Sequence, residues 1–159
     1  MAPIVILVVV TLVLAGAGAA GVPWLRPWQV ALRGGVAAMF TATGVAHFVG
    51  LREQMISMVP PALPAPGLLV TLTGILELAG AAGVLWPRTT KWAAAGLSAM
   101  LVLMFPANVH AAVDHVLTAW HDQLVPRTLM QVVFLAATLT VSGHARRSRT
   151  AEPVRPLAQ

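Results

Sequence analysis

Long apolar runs alternate along this chain with short polar breaks, none of them large enough for a second domain. Five runs stand out, at about residues 4–21, 29–49, 67–86, 92–113 and 124–142. A helix needs about 20 predominantly apolar residues to cross a hydrocarbon core. The pattern therefore predicts an all-α, polytopic transmembrane bundle over residues 1–143. Run one has no basic start and runs on into Trp24, Arg26 and Trp28, so it is read as a retained span rather than a cleaved signal peptide. Residues 144–159 are basic and contain proline, which predicts a disordered tail.

The break after run two reads LREQMISMVPPALPAPG. Leu51, Met55, Met58 and Val59 share one helical face there. That predicts a short interfacial or re-entrant helix from about Leu51 to Met58, stopped by Pro60 and Pro61 and lying as a partial lid over one mouth of the bundle. Small residues recur at four-residue spacing in run one (Gly16 and Ala20, Ala17 and Gly21), and run three carries Gly74, Ala79, Ala81 and Gly83. Such residues let helix backbones approach, within one bundle or between copies in a homo-oligomer.

Composition agrees with a membrane protein. Hydrophobic residues make up 58% of the chain and charged residues 9%, against roughly 25% charged in a soluble domain. The isoelectric point near 11.7 would suggest nucleic acid in a soluble protein. Here the basic residues flank apolar runs, so membrane topology explains them and no nucleic-acid partner is expected. The absence of cysteine removes thiol catalysis, thiolate metal ligands and disulfides. With five spans, Arg26, Arg33, Arg88, Lys91, Arg146, Arg147, Arg149 and Arg155 fall at one end, and only Arg52 and Arg127 at the other. The positive-inside rule then puts the C-terminus in the cytoplasm and the N-terminus outside. Trp24, Trp28, Trp86 and Trp92 mark the inner interface.

Few residues carry chemistry. Glu77 lies near the middle of run three, where an ionised carboxylate costs at least about 2.5–3.5 kcal/mol. It should face the bundle interior, either hydrogen-bonded to a neighbouring helix or acting in proton relay or ligand binding. His47 and His110 fall near the outer ends of runs two and four, at similar expected depth. They read either as a converging pair or as two interfacial histidines. Asp114 follows His110 by four residues and shares its helix face, where a carboxylate could orient the imidazole and raise its basicity. His115, His121 and Asp122 extend this titratable cluster. Pro106 removes a backbone donor one turn before His110 and predicts a kink with a freed carbonyl. Asn108 points away from His110, and Arg33 snorkels to the inner headgroups. No metal site is expected: a bare histidine pair is thin support for haem or metal, and the methionines read as packing rather than a copper site.

Several of these stretches resemble the DoxX-like family of small membrane proteins. They are LRGGVAAMFTATGVAHF, PPALPAP, GILELAGAAGVLWP, KWAAAGLSAMLVLMFPANVHAAV and LVPRTLMQVVFLAATL, from about Leu32 to Leu139. GILELAG and FPANVHAA are the most specific. The resemblance implies a four-helix core, with run one as an extra N-terminal transmembrane helix, in a bacterial or archaeal membrane. The family takes its name from a subunit associated with thiosulfate:quinone oxidoreduction. Other members are linked to oxidative-stress complexes, and looser relatives to membrane-protein assembly. It brings no catalytic set with it. Arg33, His47, Glu77, Pro106, Asn108 and His110 are the positions that fall in family-like motifs.

Two functions are expected from these residues. One is a redox-linked subunit of the bacterial plasma membrane, binding a quinone or other lipophilic molecule near the outer leaflet, with a membrane or redox protein as its partner. His110, Asp114 and Glu77 would do its proton chemistry, and His47, Asn108, His110 and Arg33 would hold the ligand. The other is a non-catalytic scaffold or assembly factor, holding partner membrane proteins through small-residue helix faces. The charge map makes a direct prediction. A reporter active only in the cytoplasm should be active when fused after Gln159 and silent at the N-terminus, and the reverse pattern would overturn the orientation.

Overall fold

The computed structural model describes residues 1–113, 119–120 and 123–150, with side chains as far as Ala145. The helices are α1 (Ala2–Ala19), α2 (Trp28–Ala46), α3 (Arg52–Met58), α4 (Pro66–Leu85), α5 (Thr90–Val113) and α6 (Leu124–Thr150), with a 3-10 turn at Pro23–Leu25. No strand occurs among the described residues. Pro3 and Pro66 stand in the first turns of α1 and α4, where a missing amide costs no helical bond. The short helix α3 stops before Pro60 and Pro61, as the sequence predicts.

Four helices, α1, α4, α5 and α6, are long and apolar enough to cross a membrane. The chain is thus a multi-pass, all-helical membrane protein. α2 is as long but less apolar and is not among the four, although the sequence counts it as a span. Its position accounts for this. α2 packs against α1, α4 and α6, and Ala31, Gly35, Val36, Ala37, Met39, Phe40 and Gly44 are buried along it. A helix enclosed by its neighbours can carry an arginine, which a helix facing lipid all round could not.

One core joins all five long helices, through Leu7 of α1, Phe40 of α2, Val84 of α4, Leu97 of α5 and Val141 of α6. Outside it, Leu12, Val13, Leu103, Val125 and Leu129 are exposed, so the outer surface is an apolar girdle. A soluble monomer rarely exposes more than a few hundred Å² of contiguous apolar surface. Trp24, Trp28, Trp86 and Trp92 are all exposed at the end where α2 and α5 begin.

Polar rungs tie α5 to α6. Ser142 Oγ donates to the Lys91 carbonyl at 3.2 Å, and Ser98 Oγ to Thr138 Oγ1 at 2.8 Å. Gln131 Nε2 donates to the Leu101 carbonyl, and Arg127 Nη1 to Asn108 Oδ1 at 2.8 Å. Each step up α5 is a step down α6, the register of an antiparallel pair. α5 continues as helix through Pro106. Gln131 reaches α5 at Leu101, next to Val102, whose carbonyl is the one that loses its helical donor to Pro106.

Three expectations change. α6 continues as helix to Thr150, past the predicted end at Ser142, so the start of the tail is helical. α3 turns inward through Arg52, Met55, Ile56, Met58 and Val59, so of the expected apolar face only Leu51 is exposed, and Arg52 is drawn to backbone carbonyls of α2 and α4. The α1 contact avoids Gly16, which is exposed and has nothing near its Cβ position. It runs instead through Gly35 of α2, where an added Cβ would collide with Thr11 Oγ1 and lie 2.8 Å from the Leu7 carbonyl oxygen. Gly35→Ala should therefore destabilise the bundle by about 1–3 kcal/mol, and Gly16→Ala should be neutral or slightly stabilising. Thermal unfolding in detergent checks both; equal effects would contradict this packing.

Candidate functional site: a buried histidine–glutamate pair

α2 and α4 are clasped at both ends. At the end where α2 begins, Arg33 donates from Nε and Nη2 to the Val84 carbonyl (3.2 and 3.0 Å) and from Nη2 to that of Leu85 (2.9 Å). These are last-turn carbonyls of α4, left without intrahelical donors and carrying partial negative charge. Thr90 Oγ1 adds a bond to Val84 at 3.0 Å. Arg33 thus caps a helix instead of snorkelling to the headgroups. At the opposite end, Arg52 bridges the carbonyls of His47 (3.3 Å) and Gly67 (3.1 Å).

Between the clasps, glycines bring the two backbones together. A Cβ on Gly44 would lie 2.8 Å from Leu78 Cγ, and one on Gly74 would lie 2.6 Å from His47 Cβ. The buried stripe of α4 is Val70, Gly74, Glu77, Ala81 and Val84, a helical repeat of three and four. Glu77 is therefore turned inward by its place in that stripe, as its position in the sequence predicts.

This packing sets His47 beside Glu77. Both are buried, at 3% and 4% exposure, and His47 Nδ1 lies 3.9 Å from Glu77 Oε2. His47 Nδ1 also lies 2.9 Å from the Thr43 carbonyl. A carbonyl only accepts, so Nδ1 carries the hydrogen and Nε2 of the neutral ring is an acceptor. At 3.9 Å the contact with Glu77 is in ion-pair range but too long for a hydrogen bond. The Thr43 hydroxyl lies against the Glu77 carboxyl. It also donates to the carbonyls of Met39 (3.2 Å) and Phe40 (3.3 Å), so one hydrogen is shared among competing acceptors. Glu77 Oε2 is buried with no hydrogen-bond partner. Leaving such a group unsatisfied costs about 1–3 kcal/mol.

His47 does not meet His110 through the described contacts. α2 packs on α1, α4 and α6, whereas α5 packs on α4, α6 and α3. Gly80 abuts Leu97 and Gly83 abuts Ala93, which fixes the antiparallel register of α4 and α5. That register sets His110 level with the start of α4, while His47 is level with Gly74, roughly 10 Å deeper at 1.5 Å per residue. The chain dips inward at the end of α2, and α3 covers the dip by packing on α4 and α5. Asn108 is engaged by Arg127. Asp114, His115, His121 and Asp122 lie outside the described residues. No group of three or more histidine, aspartate or glutamate side chains able to hold a metal occurs among the described residues.

Sequence reading singled out Glu77 and His47 but did not join them, and it missed Thr43 and Arg52. The signal for the pairing was the glycine at Gly74, one turn before Glu77.

A multi-pass helical bundle with a buried imidazole–carboxyl pair is the class of protein these features define. The chain belongs to the family described as a domain of unknown function (DUF8561), whose match covers residues 36–142. The matched part includes His47, Glu77, Pro106 and Asn108 and excludes α1 and Arg33. No curated protein and no solved structure matches the chain.

Proposed function

We propose that this protein is a redox-linked membrane subunit that binds a quinone or similar lipophilic molecule at the His47–Glu77 pair. The observation that carries the reading is Glu77 Oε2, a buried acceptor without a donor, beside a buried imidazole. A quinol hydroxyl is a complementary donor. An ionised Glu77 accepts from that hydroxyl, and a protonated Glu77 donates to a quinone carbonyl. Oxidation of a quinol to a quinone releases two electrons and two protons. The electrons pass to a partner redox protein, and imidazole and carboxyl are the groups at hand for the protons. α3 buries none of its residues, which makes it the natural side for entry.

The DoxX-like resemblance is part of this proposal, as are the bacterial plasma membrane and the placing of His47 and Glu77 in its outer half. The orientation is supported by the gathering of Arg26, Arg33, Arg88 and Lys91 at the far end. His110 and Asp114 of the expected constellation have no support from the described contacts, and the reading rests on Glu77 and His47. A scaffold acting through the small-residue face of α4 has less support, because Gly80 and Gly83 are filled by Leu97 and Ala93 of the same chain.

Titration of the full chain in nanodiscs with a short-chain quinol analogue tests the reading. Saturable binding is expected. Glu77→Gln and His47→Gln should each weaken it about tenfold, the scale of a lost hydrogen bond to a charged group. Glu53→Gln, on the outside of α3, should leave it unchanged. Wild-type affinity in both pair variants, or no saturable binding at all, would end the proposal.

A further inference from the structure

At the far end of the bundle from His47, a cleft of about 390 Å³ opens between the start of α2, the Pro87–Thr90 turn and the stretch of α6 from Thr140 to Ala145. Pockets that take small molecules hold roughly 300–1,000 Å³. The cleft has two kinds of wall. Trp28, Val30 and Val141 are apolar, whereas Gln29, Arg33 and His144 are polar, and no acidic residue lines it among the described residues.

Arg33 is its fixed charge. Nε and Nη2 are held by the α4 carbonyls, which pins the guanidinium plane. A guanidinium has five donor hydrogens, and the two on Nη1 have no partner among the described residues. The helix end opposes the guanidinium with only about half a unit of negative charge, so a net positive charge remains. His144 closes the other wall, with Nδ1 2.9 Å from the Thr140 carbonyl and its ring edge-on to Trp28 at 4.9 Å. Exposed Trp24, Trp28, Trp86 and Trp92 stand at this end, the level at which indoles meet lipid headgroups. The occupant that fits is anionic at one end, apolar at the other, and resident at the bilayer interface.

We infer that this cleft is a binding site for an anionic phospholipid. Its phosphate sits on Arg33 Nη1 and Gln29, and the start of an acyl chain lies along Trp28 and Val141. A single fixed arginine at a membrane surface favours an anionic over a zwitterionic lipid by about five- to tenfold. The site is separate from the His47–Glu77 pair and does not depend on what that pair binds.

Native mass spectrometry of the full chain in detergent, titrated with phosphatidylglycerol and with phosphatidylcholine, tests the inference. Phosphatidylglycerol should bind about five- to tenfold more tightly, and Arg33→Gln should abolish that preference. Arg33 also caps α4, so a second variant is needed that leaves it intact. Ala145→Trp fills the mouth of the cleft; it should lose the lipid while keeping the wild-type melting temperature. Equal binding of the two lipids by the wild type, or an unchanged preference in Ala145→Trp, would overturn the inference. So would displacement of the lipid by an equal concentration of inorganic phosphate, which would leave an anion site with no lipid specificity.

Discussion

The contact between α2 and α4 holds the rest of the molecule in place. Apolar side chains gain little from meeting each other inside lipid, where association rests on close packing and hydrogen bonds. α2 is the helix least able to face lipid, and it is enclosed by its neighbours. Arg33 and Arg52 clasp it to α4 at either end, and Gly44 and Gly74 let the backbones close between them. Once that is done, the positions of His47 and Glu77 follow. His47 ends α2 against Gly74, and Glu77 is one turn further along α4. The same arginines that shape the pair also fix the two ends of the bundle, so the chemistry and the scaffold cannot be separated.

Much of the architecture was legible in the sequence, because length and apolarity decide which segments can cross a membrane. Four of the five expected spans, the short helix after α2 and its proline stop follow from runs and breaks alone. The inward turn of Glu77 follows from the cost of leaving a carboxyl in lipid. What was not legible was depth and partnership. His47 looks interfacial from its position at the end of an apolar run. Yet α2 ends short of the start of α4, and that offset shows only in the register set by Gly74. Arg33 looks like a snorkelling residue until the unsatisfied end of α4 is seen beside it. The glycines of α1 looked like a packing face by spacing, but Gly16 faces outward and the approach is made by Gly35 of α2. Spacing reports which residues share a face and says nothing about where that face is turned.

The two ends of the bundle differ in kind. One is basic, ringed by tryptophans, and holds an open cleft with a pinned guanidinium. The other is closed over by α3 and holds an imidazole and a carboxyl with nearly all of their surface removed from water. A buried carboxyl oxygen without a donor is uncommon in folded proteins and calls for an explanation. Within the family match, residues 36–142 carry both members of that pair, while Arg33 and the cleft's start of α2 fall before it. The deep pair therefore belongs to the part of the chain that defines the family.

Infrared difference spectroscopy of the protein in lipid tests most directly whether the Glu77 oxygen is a ligand contact. Spectra with and without a short-chain quinol should differ in the carboxyl bands as Oε2 gains a donor, and that difference should vanish in Glu77→Gln. If wild type and Glu77→Gln give the same difference spectrum, Glu77 does not touch the ligand and the account of this site is wrong.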